Sequence, residues 1–220
     1  MPIVKQELPY DGRETWDLQL GTCKVYVLRL KPVADKDGKV QEYIAYLNTL
    51  GKRKLIDEGA RILAEKIKRY KLEPEVLVTA ALKDIAVAQA VGGELGLDEY
   101  EVFPKDNRWN MVNPNSVPYQ SVTSKAQGKI EELWYDEDNK DAIRGREVGL
   151  IGDFYTFGGT SSAEHTIIQR CGGVTKFVGV LFTEGFEAVD PATVKLRNLD
   201  NEEETEVPIV AANYFPVWKP

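Results

Sequence analysis

The spacing of apolar positions predicts alternating strands and helices in the middle of the chain. Residues 54–70 place apolar side chains at helical intervals with charges between them, and residues 85–95 form an alanine-rich helical segment that ends at Gly96. Short apolar runs bounded by turn residues, typical of strands buried on both faces, occupy residues 75–81, 100–103, 148–151 and 174–182. This alternation predicts a parallel sheet flanked by helices.

The two ends of the chain show a β-rich pattern instead. Residues 23–30 and 40–46 are rich in β-branched and aromatic side chains and flank a turn signal at residues 35–38, which predicts a hairpin. Beyond the middle part, short strands are predicted at residues 193–199, 201–204 and 207–211.

These patterns divide the chain into a core and a cover. We expect an α/β core over residues 54–190, and a small β-rich hood formed by residues 1–53 together with residues 191–220. Regular periodicity fades across about residues 106–146, and a long loop inside a compact domain is usually either functional or disordered. A mobile active-site loop is one interpretation of this segment, and a plain solvated insertion is the other.

Composition narrows the classes of function. The 220 residues carry a formal net charge of −7, which argues against a general nucleic-acid-binding protein. Cys23 and Cys171 lack metal-type spacing and fit a reducing compartment, and the single histidine, His165, makes a histidine-based metal site or triad unfavourable. No apolar stretch approaches membrane length. We expect a cytoplasmic protein with no membrane partner.

Residues 147–163 combine a buried strand, a glycine turn and a helix start. Such a junction can hold a phosphate, because glycines let the backbone approach closely and the free N–H groups of a helix N-terminus point at the anion. Asp153 ends the strand, and hydroxyl side chains surround Gly158 and Gly159. They offer acceptors for sugar hydroxyls and donors for a phosphate. A tight strand–helix turn without function is the alternative.

This segment resembles the PRPP-binding motif of type I phosphoribosyltransferases of the purine, adenine and xanthine type. Asp153 falls on the second of the motif's two acids. Positions of the phosphate loop are matched by Thr156, Gly158, Gly159 and Thr160. The chain departs from the motif at two positions, because Gly152 replaces the first acid and Phe157 replaces the usual threonine.

The resemblance extends to two lysines at predicted strand ends. Lys83 matches the basic residue of the turn that embraces pyrophosphate, although Ala81 and Asp84 replace the acid and the glycine of that turn. Lys105 stands where the family carries an Arg-Lys pair, with Arg108 close by in the sequence. A solvent-facing lysine is the alternative interpretation of Lys83.

The family's mobile loop and base site also have counterparts. Ser124, Lys125 and Lys129 lie in a stretch similar to the loop that closes on PRPP. Phe186 matches an aromatic position that stacks on the base, with Phe182 as a second candidate for stacking or for core packing. Residues 43–48 resemble the hood that covers the base.

By this resemblance the protein transfers phosphoribose from PRPP to a purine-like base, or to another nitrogen nucleophile, and releases pyrophosphate. It assigns catalytic roles to Asp153 and Lys125, implies Mg²⁺ as the cofactor with Asp153 as its ligand, and implies a role in purine salvage as a homodimer. The missing first acid leaves two alternatives open. One is a non-catalytic PRPP- or nucleotide-binding regulator or subunit, and the other is a transferase or hydrolase acting on another sugar phosphate.

Overall fold

The computed structural model describes residues 4–22, 26–35, 37–80, 82–105, 116–124, 129–188 and 192–220. Within these ranges the strands are β1 (Val4–Lys5), β2 (Glu7–Pro9), β3 (Thr15–Leu18), β4 (Tyr26–Ala34), β5 (Val40–Tyr46), β6 (Val76–Ala80), β7 (Tyr100–Phe103), β8 (Ser116–Ser124), β9 (Lys129–Asp136), β10 (Glu147–Tyr155), β11 (Val174–Glu184), β12 (Phe186–Glu187), β13 (Ala192–Arg197), β14 (Glu204–Phe215) and β15 (Val217–Lys219). The helices are α1 (Arg53–Arg69), α2 (Asp84–Leu95) and α3 (Gly159–Arg170), with a 3-10 helix at Glu137–Ala142.

A six-stranded sheet forms the centre of the fold, in the order β13-β14-β11-β10-β6-β7. The strands from β14 to β7 are parallel, and β13 pairs antiparallel with β14 at the edge. All residues of β6 are buried, because helices cover both faces of a sheet of this kind. The predicted α/β fold with a parallel sheet is confirmed.

The helices divide between the two faces of this sheet. Leu77 and Ile151 belong to the core cluster that contains the buried residues of α1 and α2. Leu150 and Val180 belong to the cluster that contains the buried residues of α3. Neighbouring residues of β10 therefore point to opposite faces, as the pleat of a strand requires. None of the helices in the described ranges is long and apolar enough to cross a membrane.

A five-stranded sheet, in the order β2-β15-β5-β4-β3, forms the hood. The predicted hairpin is present in it as β4 and β5, which pair antiparallel. Trp218 of β15 is fully buried and meets Trp16 edge-on, with ring centroids 5.2 Å apart. Tyr10 stacks on Tyr43 at 3.7 Å. Aromatic packing thus joins the two ends of the chain in one sheet.

The C-terminal segment differs from the expectation of residues 191–220 as a hood piece. β13 and β14 extend the central sheet, with β14 parallel to β11, and only β15 joins the hood. The reason is burial. Val207, Ile209 and Val210 are almost fully buried, because they belong to the core clusters that the helices form on the two faces of the central sheet.

The segment of about residues 106–146 contains more regular structure than its sequence pattern predicts. β8 and β9 pair as an antiparallel hairpin, and Leu133 and Tyr135 of β9 are buried in the core beside α3. The Trp134 N–H donates to the Pro104 carbonyl at 2.8 Å, which ties the hairpin to the end of β7. Residues 106–115 and 125–128 lie outside the described residues.

Candidate functional site

The site lies where β6 and β10 separate at their carboxyl ends. The strands that follow β6 and β10 lie on opposite sides of this pair, so the gap between them is the topological switch point at which such sheets bind ligands. Backbone pairing between the two strands ends at Leu150 and Val78. Beyond it, side chains bridge the gap: the Thr79 hydroxyl donates to the Ile151 carbonyl at 2.8 Å.

Asp153 is held from two directions at this edge. Its backbone N–H donates to Oδ1 of Asp84, at the start of α2, at 2.9 Å. Its carboxylate Oδ2 accepts from the buried Thr49 hydroxyl at 3.2 Å. Burial, followed by the charge of Asp153, raises the pKa of Asp84 well above its usual value. The hood segment and α2 therefore converge on the acid that the sequence singles out.

The glycine turn predicted to hold a phosphate connects β10 to α3. Gly158 has φ +71°, in the left-handed region that favours glycine, and α3 begins at Gly159. A Cβ atom at Gly158 would clash with the Tyr155 hydroxyl, which packs beneath the turn. The Ser162 N–H donates to the Gly158 carbonyl at 2.8 Å. No side chain of the described residues caps α3, so the amides of its first turn remain available to an anion.

Thr156 and Phe157, on the strand side of the turn, have different environments. The Thr156 hydroxyl donates to Oε2 of Glu184 at 2.8 Å, and burial raises the pKa of Glu184 to about 7. The Phe157 side chain is 60 % exposed. An apolar ring therefore stands at the solvent side of the loop where the resembled motif carries a hydroxyl.

A cavity of about 90 Å³ lies between the end of the central sheet and the N-terminal half of α3. Its polar lining combines predicted and unpredicted residues: Asp84, Lys105, Asp153, Thr160, Ser161 and Glu164. Gly152 also lines it. Three carboxyl groups and one ammonium group facing one small space are suited to a ligand rich in hydroxyls.

Glu164 is the most buried of these acids, with 4 % of its surface exposed. Burial raises its pKa to about 8, opposed by the positive charge of Lys105 and by a hydrogen bond from the backbone of Ala80. The neighbouring His165 is packed in the core, with Nδ1 2.8 Å from the Thr175 hydroxyl oxygen. His165 is therefore a packed residue of the core.

Lys83 lies at the start of α2, below the hood. Its Nζ is 5.7 Å from the centroid of the Tyr46 ring, and Lys31 Nζ lies 3.6 Å from the same centroid. Both cations can interact with the ring face. Lys83 is not among the residues that line the cavity beside Asp153, so its pyrophosphate role stays a prediction.

Phe186 and Phe182 are both core residues in this structure. Phe186 is 7 % exposed and meets Tyr155 edge-on with centroids 5.9 Å apart. Phe182 is fully buried and stacks on Phe215 at 4.7 Å. Phe186 could stack on a base only after it had moved from this packing, so that role also stays a prediction.

Several predicted positions fall outside the described residues, namely Ala81, Arg108 and Lys125. Ser124 ends β8 and Lys129 begins β9. Among the described residues, no group of three or more histidine, cysteine, aspartate or glutamate side chains is arranged to hold a metal ion.

Sequence reasoning did not assign functional roles to Thr49, Glu164 and Glu184. Glu164 had a detectable signal, because it is an acidic residue in a helix that the sequence predicts to pack on the sheet. Thr49 and Glu184 had none, since each meets its partner only through contacts across the fold, to Asp153 and to Thr156.

Comparisons with known proteins place this architecture among the phosphoribosyltransferases. Adenine phosphoribosyltransferase from Thermoanaerobacter pseudethanolicus is similar with a TM-score of 0.57 and 17 % identity, over 86 % of this chain and 95 % of that chain. The Trypanosoma brucei enzyme, solved with AMP, pyrophosphate and ribose-5-phosphate, gives 0.59 and 13 %, over 92 % and 87 %.

The Saccharomyces cerevisiae enzyme, complexed with an imino-altritol bisphosphate and adenine, gives a TM-score of 0.56 and 12 % identity, over 84 % and 93 %. No protein-family model and no curated protein sequence matches the chain. The resemblance read from the PRPP motif is therefore confirmed at the level of the fold: this chain has the type I phosphoribosyltransferase fold.

Proposed function

We propose that the protein is a phosphoribosyltransferase that uses PRPP and a purine-like base. The observation that supports this most is the convergence, at the switch point of the sheet, of the uncapped start of α3, at Thr160 and Ser161, with Asp153. A helix N-terminus and a neighbouring acid are the two groups that a ribose 5-phosphate requires.

In the proposed reaction, a nitrogen lone pair of the base attacks C1 of the ribose. The bond from C1 to the pyrophosphate oxygen breaks, its electron pair leaves with pyrophosphate, and the nitrogen loses its proton to solvent. The transition state has oxocarbenium character, so cations near the leaving group and exclusion of water favour transfer over hydrolysis. Lys83, Lys105 and Lys125 are the proposed cations, and the turn at residues 156–160 holds the 5′-phosphate.

The carboxylates fit a magnesium ion that arrives with its substrate. Mg²⁺ is commonly held by one or two carboxylates together with substrate phosphates and waters, and Asp153 would contact it directly or through water. Bound there, the ion would neutralise charge on the departing diphosphate. The protein's own groups would hold the phosphate, orient the ribose and shield it from solvent.

A non-catalytic PRPP or nucleotide sensor of the same fold is the second candidate. The lack of a side chain at Gly152 favours it, because the motif's first carboxylate is missing. Phe157 at the loop favours a third variant, in which another sugar phosphate is the substrate. All three candidates use the same pocket, so binding is tested before turnover.

Calorimetry with PRPP and Mg²⁺ tests the pocket. We expect binding by the unaltered protein and a loss of about tenfold or more in affinity for Asp153→Asn, since one charge-assisted hydrogen bond is weakened. Asp57→Asn, at an exposed position on α1, is the matched control and should bind normally. Absence of PRPP binding would reject the enzyme and the sensor together.

A second measurement separates turnover from sensing. Pyrophosphate release is followed after addition of PRPP and a panel of purine bases to protein that binds PRPP. Release that depends on one base supports the transferase. Tight PRPP binding with no release above background for any base would support the sensor instead.

A further inference from the structure

Glu164 has an unusual position for an acidic residue. It lies four residues after Thr160, so the two side chains occupy one face of α3, and both line the cavity. A carboxyl group that is 4 % exposed costs folding free energy and packs no better than an apolar side chain of similar size. Core packing alone therefore does not account for an acid at this position.

Gly152 lies on the same side of the sheet as Glu164. Leu150 and Gly152 are two residues apart on β10, and Gly152 lies beside Val180, which belongs with Leu150 to the core cluster on the face that α3 covers. A Cβ atom at Gly152 would lie 3.6 Å from Val180 Cγ1, its nearest neighbour. The space for a side chain is therefore open, and it belongs to the cavity that Glu164 also lines.

The charges around Glu164 allow it to act as an acceptor. The positive charge of Lys105, beyond β7, acts on it, and the backbone of Ala80, at the end of β6, hydrogen-bonds to it. Asp84 and Asp153 are the other ionisable groups that line the cavity. Asp84 already accepts from the Asp153 N–H, which gives it a structural task. The volume of about 90 Å³ exceeds the roughly 10–15 Å³ that one water needs.

We propose that Glu164 supplies, from α3, the carboxyl group that Gly152 lacks, and that the oxygens of this group accept hydrogen bonds from the ribose hydroxyls of the bound sugar phosphate. In this arrangement the acidic residue lies on α3, which faces β10, instead of on the strand itself. The absence of a side chain at Gly152 leaves space that the Glu164 side chain and the sugar share. This inference rests on the proposed function, since it assigns a ribose-binding residue in the same pocket.

Ribose 5-phosphate and 2-deoxyribose 5-phosphate are the probes, because they differ by one hydroxyl group. Calorimetry at a pH above about 8, where Glu164 is ionised, measures the affinity of each for the unaltered protein and for Glu164→Gln. We expect the unaltered protein to prefer the ribose form, and the variant to lose about tenfold in affinity for it while losing most of the preference. Glu65→Gln, at an exposed position on α1, is the matched control and should keep both affinities.

A rescue variant distinguishes binding from a structural effect. Gly152→Asp in the Glu164→Gln protein returns a carboxylate to the same cavity, and we expect it to restore the preference for the ribose form. Glu164→Asp, which keeps the carboxyl group but withdraws it by one methylene, provides a second test that does not depend on the glutamine variant. It should also lose the preference.

The outcomes separate the two proposals. If the unaltered protein binds neither PRPP nor ribose 5-phosphate, the proposed function fails, and this inference fails with it. If the unaltered protein binds and folded Glu164 variants keep its preference for the ribose form, only this inference is overturned. A variant that weakens both sugars equally, with no recovery on Gly152→Asp, would also overturn it, because Glu164 would then only maintain the shape of the site.

Discussion

Replacing Glu164 by glutamine should make the protein more stable at neutral and alkaline pH. The carboxyl group has an ordinary pKa of 4.5, and burial raises it to about 8 in the folded protein. Above pH 4.5 the unfolded chain releases this proton while the folded protein keeps it. The unfolded state then binds fewer protons, so the free energy of unfolding falls as pH rises through this window.

The pKa values set the magnitude of the effect. At about 1.36 kcal/mol per pKa unit, the difference between 4.5 and about 8 corresponds to an upper limit of ~5 kcal/mol, lost in full only above pH 8. Glutamine keeps the size and a hydrogen-bonding carbonyl but cannot ionise. Its stability advantage over the unaltered protein should therefore grow by about 1.4 kcal/mol per pH unit between roughly pH 5 and pH 8.

Urea denaturation of both proteins at several pH values measures this advantage directly. From about pH 5.5 to pH 8 the difference should increase by ~3 kcal/mol, which corresponds to roughly 6–12 °C in melting temperature for a chain of this size. The other ionisable groups that line the cavity are present in both proteins, so the difference between them reports mainly on Glu164. A difference that does not change with pH would refute the reasoning, because Glu164 would then be ionised throughout.

Three further predictions concern the turn, its exposed ring and the hood. Gly158→Ala should lower the free energy of unfolding by about 1–2 kcal/mol or more, because of the positive φ and the clash with Tyr155; unchanged urea denaturation would contradict this backbone geometry. Phe157→Thr should change stability by less than about 0.5 kcal/mol, since the ring is 60 % exposed, and should raise PRPP affinity in calorimetry; weaker binding would show that the ring contributes to the site. Trp218→Ala should cost about 3–5 kcal/mol because the side chain is fully buried, and a smaller loss in urea denaturation would mean that the hood contributes little to folding.

The sequence alone was sufficient to predict the core elements. The apolar run at residues 148–151 identified β10, which extends to Tyr155, and the helical spacing of residues 54–70 identified α1, which spans Arg53–Arg69. Both signals are local, because they come from the period of side chains along a strand or a helix. The predicted boundaries were less accurate. The residues of β10 beyond its apolar run are strand-like because they pair with the neighbouring strand β11.

The partner of each strand was harder to predict. Residues 207–211 were recognised as strand-forming and assigned to the hood, but they pair with β11 in the central sheet. A buried strand has the same alternation or apolar run beside any neighbour, so its pattern does not specify which sheet it joins. The burial of Glu164 was hard to predict for the same reason, because it depends on which elements pack on α3. Both the sheet and the β8–β9 hairpin cover this helix. That second cover leaves the helix little solvent face for an acidic residue.

The short passage of the chain from β14 to β15 limits how the hood can move. One run of chain completes the edge region of the central sheet and, after Pro216, enters the hood between β2 and β5. Proline fixes its own φ angle, and Trp218 anchors the next strand in the interior. A single residue therefore separates a strand of the central sheet from a strand of the hood, which limits how far the hood can move from that sheet while β15 stays paired with β2 and β5.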